Sequence, residues 1–556
     1  MTFNLHLSLT KALSLWPDRE AVIDGDKRFT YAELGKRIGR LAQYFLSIGL
    51  QRDSVVAILA PNCHEYMETY YACAAVGIVL NPLNFRLAAR EIGEILRDSN
   101  AVCLIVHEDF ASCAESVLQQ ETNLKHVITI AKSFKSLDEC APTQPKPSES
   151  AGLASQLPGS TPASANCSIT DFERSLATAA SDAIPFQPCP GDQLAQLYYT
   201  SGTTGKAKGV MLNHTNVTTN ALGAITELQF SDSTVWGHFA PIFHLADAWA
   251  IFAVSWVGGK HIFVPYFKAL DVLNAMSRER VSITALVPTM ANQLLACPQL
   301  KQFDLSSLNM LMTAGSPVAP EQVKRIMKEL NCDYLQFYGL TETSPFLTVG
   351  AIKEHLKKLP EDKLLNLKAR TGRAFISTQI KVVRPDGTEV EWNGEEVGEI
   401  IARGPNVTKG YWNQPDTTAA AIRDGWFYTG DLSTIDQEGY LNIVDRSKDM
   451  IISGGENVYS TEVEYCIYEH PAVLECAVFG IPDEKWGELV KAVIVLKDGH
   501  SATPEELTAH VRQRLANYKT PRSIDIVQEL PKTGSGKIFK KGLRDKYWQS
   551  GGRQVN

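Results

Sequence analysis

Apolar residues recur at Leu34, Ile38, Leu41, Phe45 and Ile48, at spacings of four, three, four and three, which puts them on one stripe of a helix ending near Gly49. Thr30 and Glu33 stand ahead of the stripe as a T-x-x-E capping box, each side chain satisfying an amide that the first turn leaves open. Asp24-Gly25-Asp26 predicts a hairpin turn before it. A β-branched run follows at Val55 to Leu59, then a helical stretch through Tyr66 to Ala75, an apolar run Gly77 to Leu80, a helix near Glu91 to Arg97 and a strand Val102 to Val106. Strands alternating with helices imply a parallel sheet covered on both faces, so this part of the chain is α/β.

The pattern changes twice further on. Between Thr378 and Ile401 the segments QIKVV and EVEW flank Pro385-Asp386-Gly387, and VGEIIARG follows, which reads as a short β-rich section with a turn. After Lys448 come a helix near Thr461 to Tyr468, strands Ala477 to Phe479 and Ala492 to Leu496, and a helix Pro504 to Leu515 opened by Thr503, enough for a small α+β domain. From Ala141 to Ala183 the chain is mostly Pro, Ser, Ala and Thr; with little to bury, it is expected to form a surface insertion or a mobile loop. There is no internal repeat.

Composition narrows the function. The 556 residues are 44% hydrophobic and 21% charged, an ordinary globular balance with length for two to four domains. A net charge of −8 leaves no global basic footprint, which argues against nucleic acid as the main partner. The 11 cysteines never come closer than ten residues to each other, so no C-x-x-C zinc or redox pair can be drawn and a reducing compartment is expected. The N-terminus lacks the pattern of a signal peptide, and the longest uncharged apolar stretch, Ala248 to Gly259, is short of the roughly 20 residues a bilayer requires. A cytoplasmic protein without a transmembrane segment is expected.

The strongest chemical signal is Leu197-Tyr-Tyr-Thr200-Ser201-Gly202-Thr203-Thr204-Gly205-Lys-Ala-Lys208-Gly-Val. An apolar run feeds a loop with glycines, four hydroxyl side chains and two lysines, the donor set that wraps a polyphosphate. A bare Gly/Ser/Thr turn between strands is the ordinary alternative. No G-x-x-x-x-G-K-[ST] passes through it, which disfavours a P-loop NTPase.

With six companions in order, the sequence resembles the adenylate-forming superfamily of acyl-CoA synthetases, luciferases and peptide-synthetase adenylation domains. The pieces are YYTSGTTGKAKGV (198–210), APIFHLA (240–246), TAGSPV (313–318), QFYGLTETSP (336–345), GWFYTGDL (425–432), DRSKDMIISGGENVYSTEVE (445–464) and PKTGSGKI (531–538). The resemblance implies a large N-terminal domain, residues 1–447, of parallel α/β subdomains plus a β-rich subdomain, and a small mobile α+β domain, residues 448–556. It also implies a two-step reaction, in which a carboxylate attacks the α-phosphate of ATP to give an acyl-adenylate and a thiol, that of coenzyme A, then captures the acyl group.

Residue by residue, the resemblance implies that Thr200, Ser201, Gly202, Thr203, Thr204, Gly205 and Lys208 hold the leaving pyrophosphate. Gly315, Ser316, Pro317, Tyr338 and Gly339 line the nucleotide slot, with Tyr338 stacking on adenine. Thr341 bonds the α-phosphate and Glu342 binds Mg²⁺. Asp431 and Arg446 hold the ribose, and Lys537 is the catalytic lysine. Lys448 is the hinge about which the small domain swivels, bringing Gly454 and Gly455 to a thiol channel. Alone, Tyr338 reads equally as core packing, Glu342 as a solvated carboxylate, Asp431 as a turn cap and Lys537 as a surface charge. His244 matches the position where relatives gate the acyl pocket and thiol tunnel, although it could equally be a packed histidine; around it lie Phe239, Phe243, Ala248 and Trp249, with Met312 and Phe346 beside the adenine motifs, as the expected lining. That mostly apolar setting favours a medium- to long-chain fatty acid, with aryl acids second; Asp247, where many fatty-acid-type relatives carry Asn, departs from the pattern. A nucleotide-binding protein without catalysis is the rival from another class, and a homodimer stays open.

Overall fold

The computed structural model describes residues 4–120, 122–131, 167–200, 207–483, 485–533 and 536–548. A seven-stranded sheet runs in the order Ser168–Asp171, His126–Ile130, Ala101–His107, Val55–Leu59, Val79–Pro82, Leu194–Thr200, Lys208–Asn213, parallel except for the last pair. A nine-stranded sheet is parallel through Asp333–Gly339, Met310–Thr313, Ile283–Leu286, Val235–His238, Lys260–Phe263 and Glu20–Asp24, with antiparallel strands at each edge. Val55–Leu59 and Ile283–Leu286 are buried at every position, as strands covered on both faces must be.

The Thr30–Glu33 capping box forms in both directions and starts the helix Tyr31–Ser47, which buries Leu34, Ile38, Leu41 and Phe45. The predicted hairpin is the pair Glu20–Asp24 and Lys27–Thr30, but it extends the second sheet, pairing in parallel with residues some 240 positions away. A third, antiparallel five-stranded sheet contains Gln379–Val383, Gly398–Arg403, Ile422–Arg423, Trp426–Ile435 and Leu441–Arg446. Here EVEW is not a strand: Glu389 makes one bridge to Val383. The fourth sheet pairs Val473–Asp483 with Gly487–Leu496 and adds Ser523–Val527 in parallel; the helices Ser460–Tyr468 and Pro504–Arg512 pack with it. No helix among the described residues is long and apolar enough to cross a membrane.

One core cluster joins the two large sheets through helices Leu245–Trp256 and His64–Val76. The second is buried at all 13 positions although it carries His64, Glu65 and Glu68. Arg37, itself buried, answers this charge: its Nε donates to Glu68 (2.6 Å) and its Nη atoms to Glu173 (2.9 and 2.5 Å). Glu173 lies in the helix Phe172–Ala177, which with Ser168–Asp171 corrects the expected surface insertion over its last residues; residues 132–166 lie outside the described set. That helix is held because it supplies a carboxylate to a buried guanidinium.

Arg37→Met leaves two carboxylates buried without their cation. We expect a loss of about 3–5 kcal/mol in urea unfolding; a loss under about 1 kcal/mol would show that the two helices hold without it.

Candidate active site

The carboxyl ends of the second sheet and one edge of the third meet in a cleft. Asp431 lies directly across from Arg446 in the antiparallel pair Trp426–Ile435 and Leu441–Arg446, and Arg446 Nε is 3.1 Å from Asp431 Oδ1. The other oxygen accepts from the Tyr338 hydroxyl at 2.6 Å, so strand Asp333–Gly339 and the third sheet share this carboxylate. The turn is fixed by Gly430 N–H donating to Glu399 Oε1 (2.9 Å) and Asp431 N–H to Thr429 Oγ1 (3.1 Å). Beside it, Gln336 Nε2 donates to the Ser316 carbonyl (3.0 Å) while Gln336 Oε1 accepts from Thr313 Oγ1 (2.6 Å), which sets the loop carrying Gly315, Ser316 and Pro317.

Lys537 comes to this loop from the C-terminal region. A Cβ on Gly315, whose φ is +89°, would lie 2.4 Å from Lys537 Cε, so the glycine is what admits the lysine. Thr289 Oγ1 donates to the Gly536 carbonyl (3.0 Å) and anchors the arriving segment. The lysine as a whole is half-buried, but its end lies deep in the cleft; desolvation, with the nearby Arg446 charge, pushes its ammonium pKa down to about 8, against the opposing pull of Asp431.

Glu342 occupies the short turn Thr341–Thr343, alongside Thr341. Its Oε1 accepts from the Tyr411 hydroxyl at 2.9 Å, and burial raises its pKa. Thr200 and Lys208 face each other at the ends of the hairpin Leu194–Thr200 and Lys208–Asn213, and Lys208 Nζ lies 5.2 Å from the centre of the Tyr411 ring. Ser201, Gly202, Thr203, Thr204 and Gly205 lie outside the described residues. The segment that brings hairpin and glutamate together was not visible in the sequence. Asn406 Nδ2 donates to the Thr343 and Phe346 carbonyls (3.0 and 2.8 Å), Thr408 N–H to the Glu342 carbonyl (2.7 Å), Thr408 Oγ1 to Met211 O (2.6 Å) and Trp412 N–H to Gly209 O (2.7 Å). Asn406, Thr408 and Tyr411 stand in GPNVTKGYW, which has no periodicity and reads only as a turn.

His244 caps the helix Leu245–Trp256, its Nδ1 accepting from Ala246 N–H (3.1 Å). Burial, and then the charge of Lys537, pushes its pKa down to about 3, so near neutral pH it is an uncharged imidazole beside the lysine. Phe243 meets Phe85 edge-on at 5.0 Å. Trp249 and Met312, expected to line the acyl pocket, are instead fully buried in the core, Trp249 between Trp236 (5.0 Å) and Phe346 (4.9 Å). Asp247 has a structural reason: its two oxygens accept from Trp236 Nε1 (2.8 Å) and pair with His238 Nδ1 (3.1 Å), closing the base of the loop that carries Phe243 and His244. Gly454 and Gly455, both at positive φ, turn the hairpin Ile451–Ser453 and Glu456–Val458; a Cβ on Gly454 would meet the Trp486 ring at 2.7 Å. The Lys448 carbonyl accepts from Arg544 Nη1 (3.3 Å) between the third and fourth sheets.

Two α/β sheets, a β-rich layer and a C-terminal domain that delivers a lysine beside a carboxylate–arginine pair define an adenylate-forming enzyme. The chain belongs to the AMP-binding enzyme family, whose profile matches residues 9–412, with the AMP-binding enzyme C-terminal domain matching residues 462–537. It is similar to the feruloyl-CoA synthase of Amycolatopsis sp (36% identity, covering 97% of this chain and 99% of that protein). It is similar also to the indoleacetate–CoA ligase of Aromatoleum aromaticum (35%; 96% and 97%) and the long-chain-fatty-acid–CoA ligase FadD13 of Mycobacterium tuberculosis (32%; 98% and 98%). The chain is accordingly an AMP-forming acyl-CoA synthetase that uses ATP and coenzyme A.

The depressed Lys537 pKa has a sign that can be read. The ammonium is present below about pH 8 and lost above it. We expect kcat/KM for the acid, which reports the free enzyme, to fall through an apparent pKa near 8 as pH rises. Lys537→Arg should remove that alkaline limb whatever its absolute rate. A limb that persists in the arginine variant would assign the titration elsewhere.

Proposed function

We propose that the enzyme activates an aromatic or arylalkyl carboxylic acid to its adenylate and passes the acyl group to coenzyme A. The observation that carries this reading is the wall next to His244. Phe243 is set edge-on against Phe85, and behind it Trp249 and Phe346 are locked against Trp236, Phe337 and Phe375. The buried rings make a stiff backing for Phe243, a setting that suits a flat ring better than a flexible chain. Relatives named for feruloyl and indoleacetate lie at 36% and 35% identity, against 32% for the fatty-acid ligase, and weigh the same way. The aryl acid thus takes the place of the fatty acid favoured by the sequence.

In this mechanism a carboxylate oxygen of the acid attacks the α-phosphorus of ATP and pyrophosphate leaves; the thiol of coenzyme A then attacks the acyl carbon and AMP leaves. Lys537 places its charge where the attacking carboxylate and the α-phosphate meet, electrostatic stabilisation available only while the small domain is docked. Asp431 and Arg446 orient the ribose, and Tyr338 is braced by its bond to Asp431 as it faces the adenine. Thr341 donates to the α-phosphate, and the ribbon from Thr200 to Lys208 holds the pyrophosphate. Glu342 fits a divalent cation: it is a desolvated carboxylate with no Lys or Arg ion pair among the described residues, and Mg²⁺ there would offset phosphate charge. Neutral His244 shapes the acid's approach without moving a proton. Residues 448–556 then rotate about Lys448, withdrawing Lys537 and presenting Gly454 and Gly455 to the thiol.

A panel of acids assayed by pyrophosphate release tests the substrate class. Cinnamates, benzoates or indoleacetate should exceed octanoate and palmitate in kcat/KM by at least about tenfold; preference for fatty acids, acetate or amino acids would overturn the aryl reading. Lys537→Ala should slow acid-dependent ATP–pyrophosphate exchange by about 10²–10³-fold yet leave thioester formation from preformed acyl-adenylate within about threefold. Equal loss of both would refute the division of labour, and ATP binding with no exchange in the wild type would favour a non-catalytic nucleotide binder.

A further inference from the structure

The helix Ser460–Tyr468 begins without a cap of its own: Tyr459 stands at the N-cap position and its side chain makes no capping bond. The missing acceptor comes from the other side of the hinge. Asp445, on the last strand of the third sheet, accepts from Ser460 N–H at 2.6 Å, and Thr461 Oγ1 donates to the Val444 carbonyl. Both Asp445 and Ser460 are buried. The capped turn is tied in turn to the segment that carries Lys537: Lys540 Nζ lies 2.9 Å from Ser460 Oγ and 2.6 Å from Glu464 Oε1, one turn along the same helix. Arg544 closes the other end, bonding Asp449 Oδ1 (2.8 Å) and the Lys448 carbonyl.

We propose that Asp445 is a positioning residue for adenylation: by capping a C-terminal-domain helix from the large domain, it holds that domain in the orientation that keeps Lys537 in the cleft. A side chain three residues before Lys448 and an amide twelve residues after it cannot keep this contact through a large swivel, so the cap is specific to the docked orientation. Each departure of the small domain uncaps the helix, and each return restores the bond. Lys540 makes the effect directional, because the helix that Asp445 caps is the one that braces the Lys537 segment. This inference rests on the two-step reading above.

Two variants remove the bond from opposite sides. Asp445→Ala takes the acceptor. Ser460→Pro takes the donor without touching the neighbour of Arg446, at a first-turn position where proline is well tolerated, and is read against Ser460→Ala because both lose the hydroxyl that Lys540 bonds. Asp445→Ala and Ser460→Pro should lower kcat of acid-dependent ATP–pyrophosphate exchange by about tenfold, the scale of a lost cap, while thioester formation from synthetic acyl-adenylate and coenzyme A stays unchanged or rises. Asp445→Asn, which can still accept from the amide, should recover most of the exchange. Equal loss of both half-reactions, no loss in either, or an Asp445→Ala effect confined to the KM for ATP would overturn the proposal. Absence of acid-dependent exchange in the wild type would instead overturn the two-step reading itself.

Discussion

A desolvated ammonium facing a carboxylate–arginine pair is the constraint around which this molecule is arranged. Lys537 reaches its place only because residue 315 has no side chain and because Thr289 receives the backbone of its neighbour. Carrying a charge into such a site is costly unless charge arrives to meet it. The lowered pKa is the mark of that cost, and in the proposed mechanism an acid and a triphosphate entering together would offset it. On that proposal the cation interacts most favourably when the reacting groups are present, which is the condition for catalysis rather than for mere binding.

The rest of the architecture can be read as support for that encounter. The parallel sheets end their strands at the cleft, the ordinary place for ligands in α/β folds. The antiparallel layer presents Asp431 and Arg446 in register, and the 404–412 segment ties the hairpin Leu194–Thr200 and Lys208–Asn213 to the Glu342 turn by backbone bonds. Aromatic packing behind Phe243 makes that side stiff, while Thr289, Asp445 and Val444 bond the C-terminal region from the large one.

Much of this was legible from local pattern. The stripe from Leu34 to Phe45 and its capping box predict their helix because both signals lie within one short segment. The motif residues Lys537, Asp431, Tyr338 and Glu342 stand in runs specific enough to be recognised, and the structure brings them to one cleft. The remainder was hidden where stabilising partners are far apart in sequence. Nothing near Glu173 shows that it answers Arg37, and nothing in Glu20–Asp24 shows that it extends a sheet built from residue 235 onward. Asn406, Thr408 and Tyr411 act through hydrogen bonds to distant backbone or carboxylate, and such bonds leave no period to detect. Segment EVEW alternates like a strand but has one bridging residue, so local propensity gave way to tertiary pairing.

The central claim is that the acid's own oxygen forms a bond to the α-phosphorus in this cleft. The most direct measurement uses acid labelled with ¹⁸O in its carboxylate, turned over with ATP and coenzyme A, with products read by mass spectrometry. The account predicts one ¹⁸O in the phosphate of AMP and none in pyrophosphate. Label appearing in inorganic phosphate with ADP as co-product, or unlabelled AMP, would contradict it.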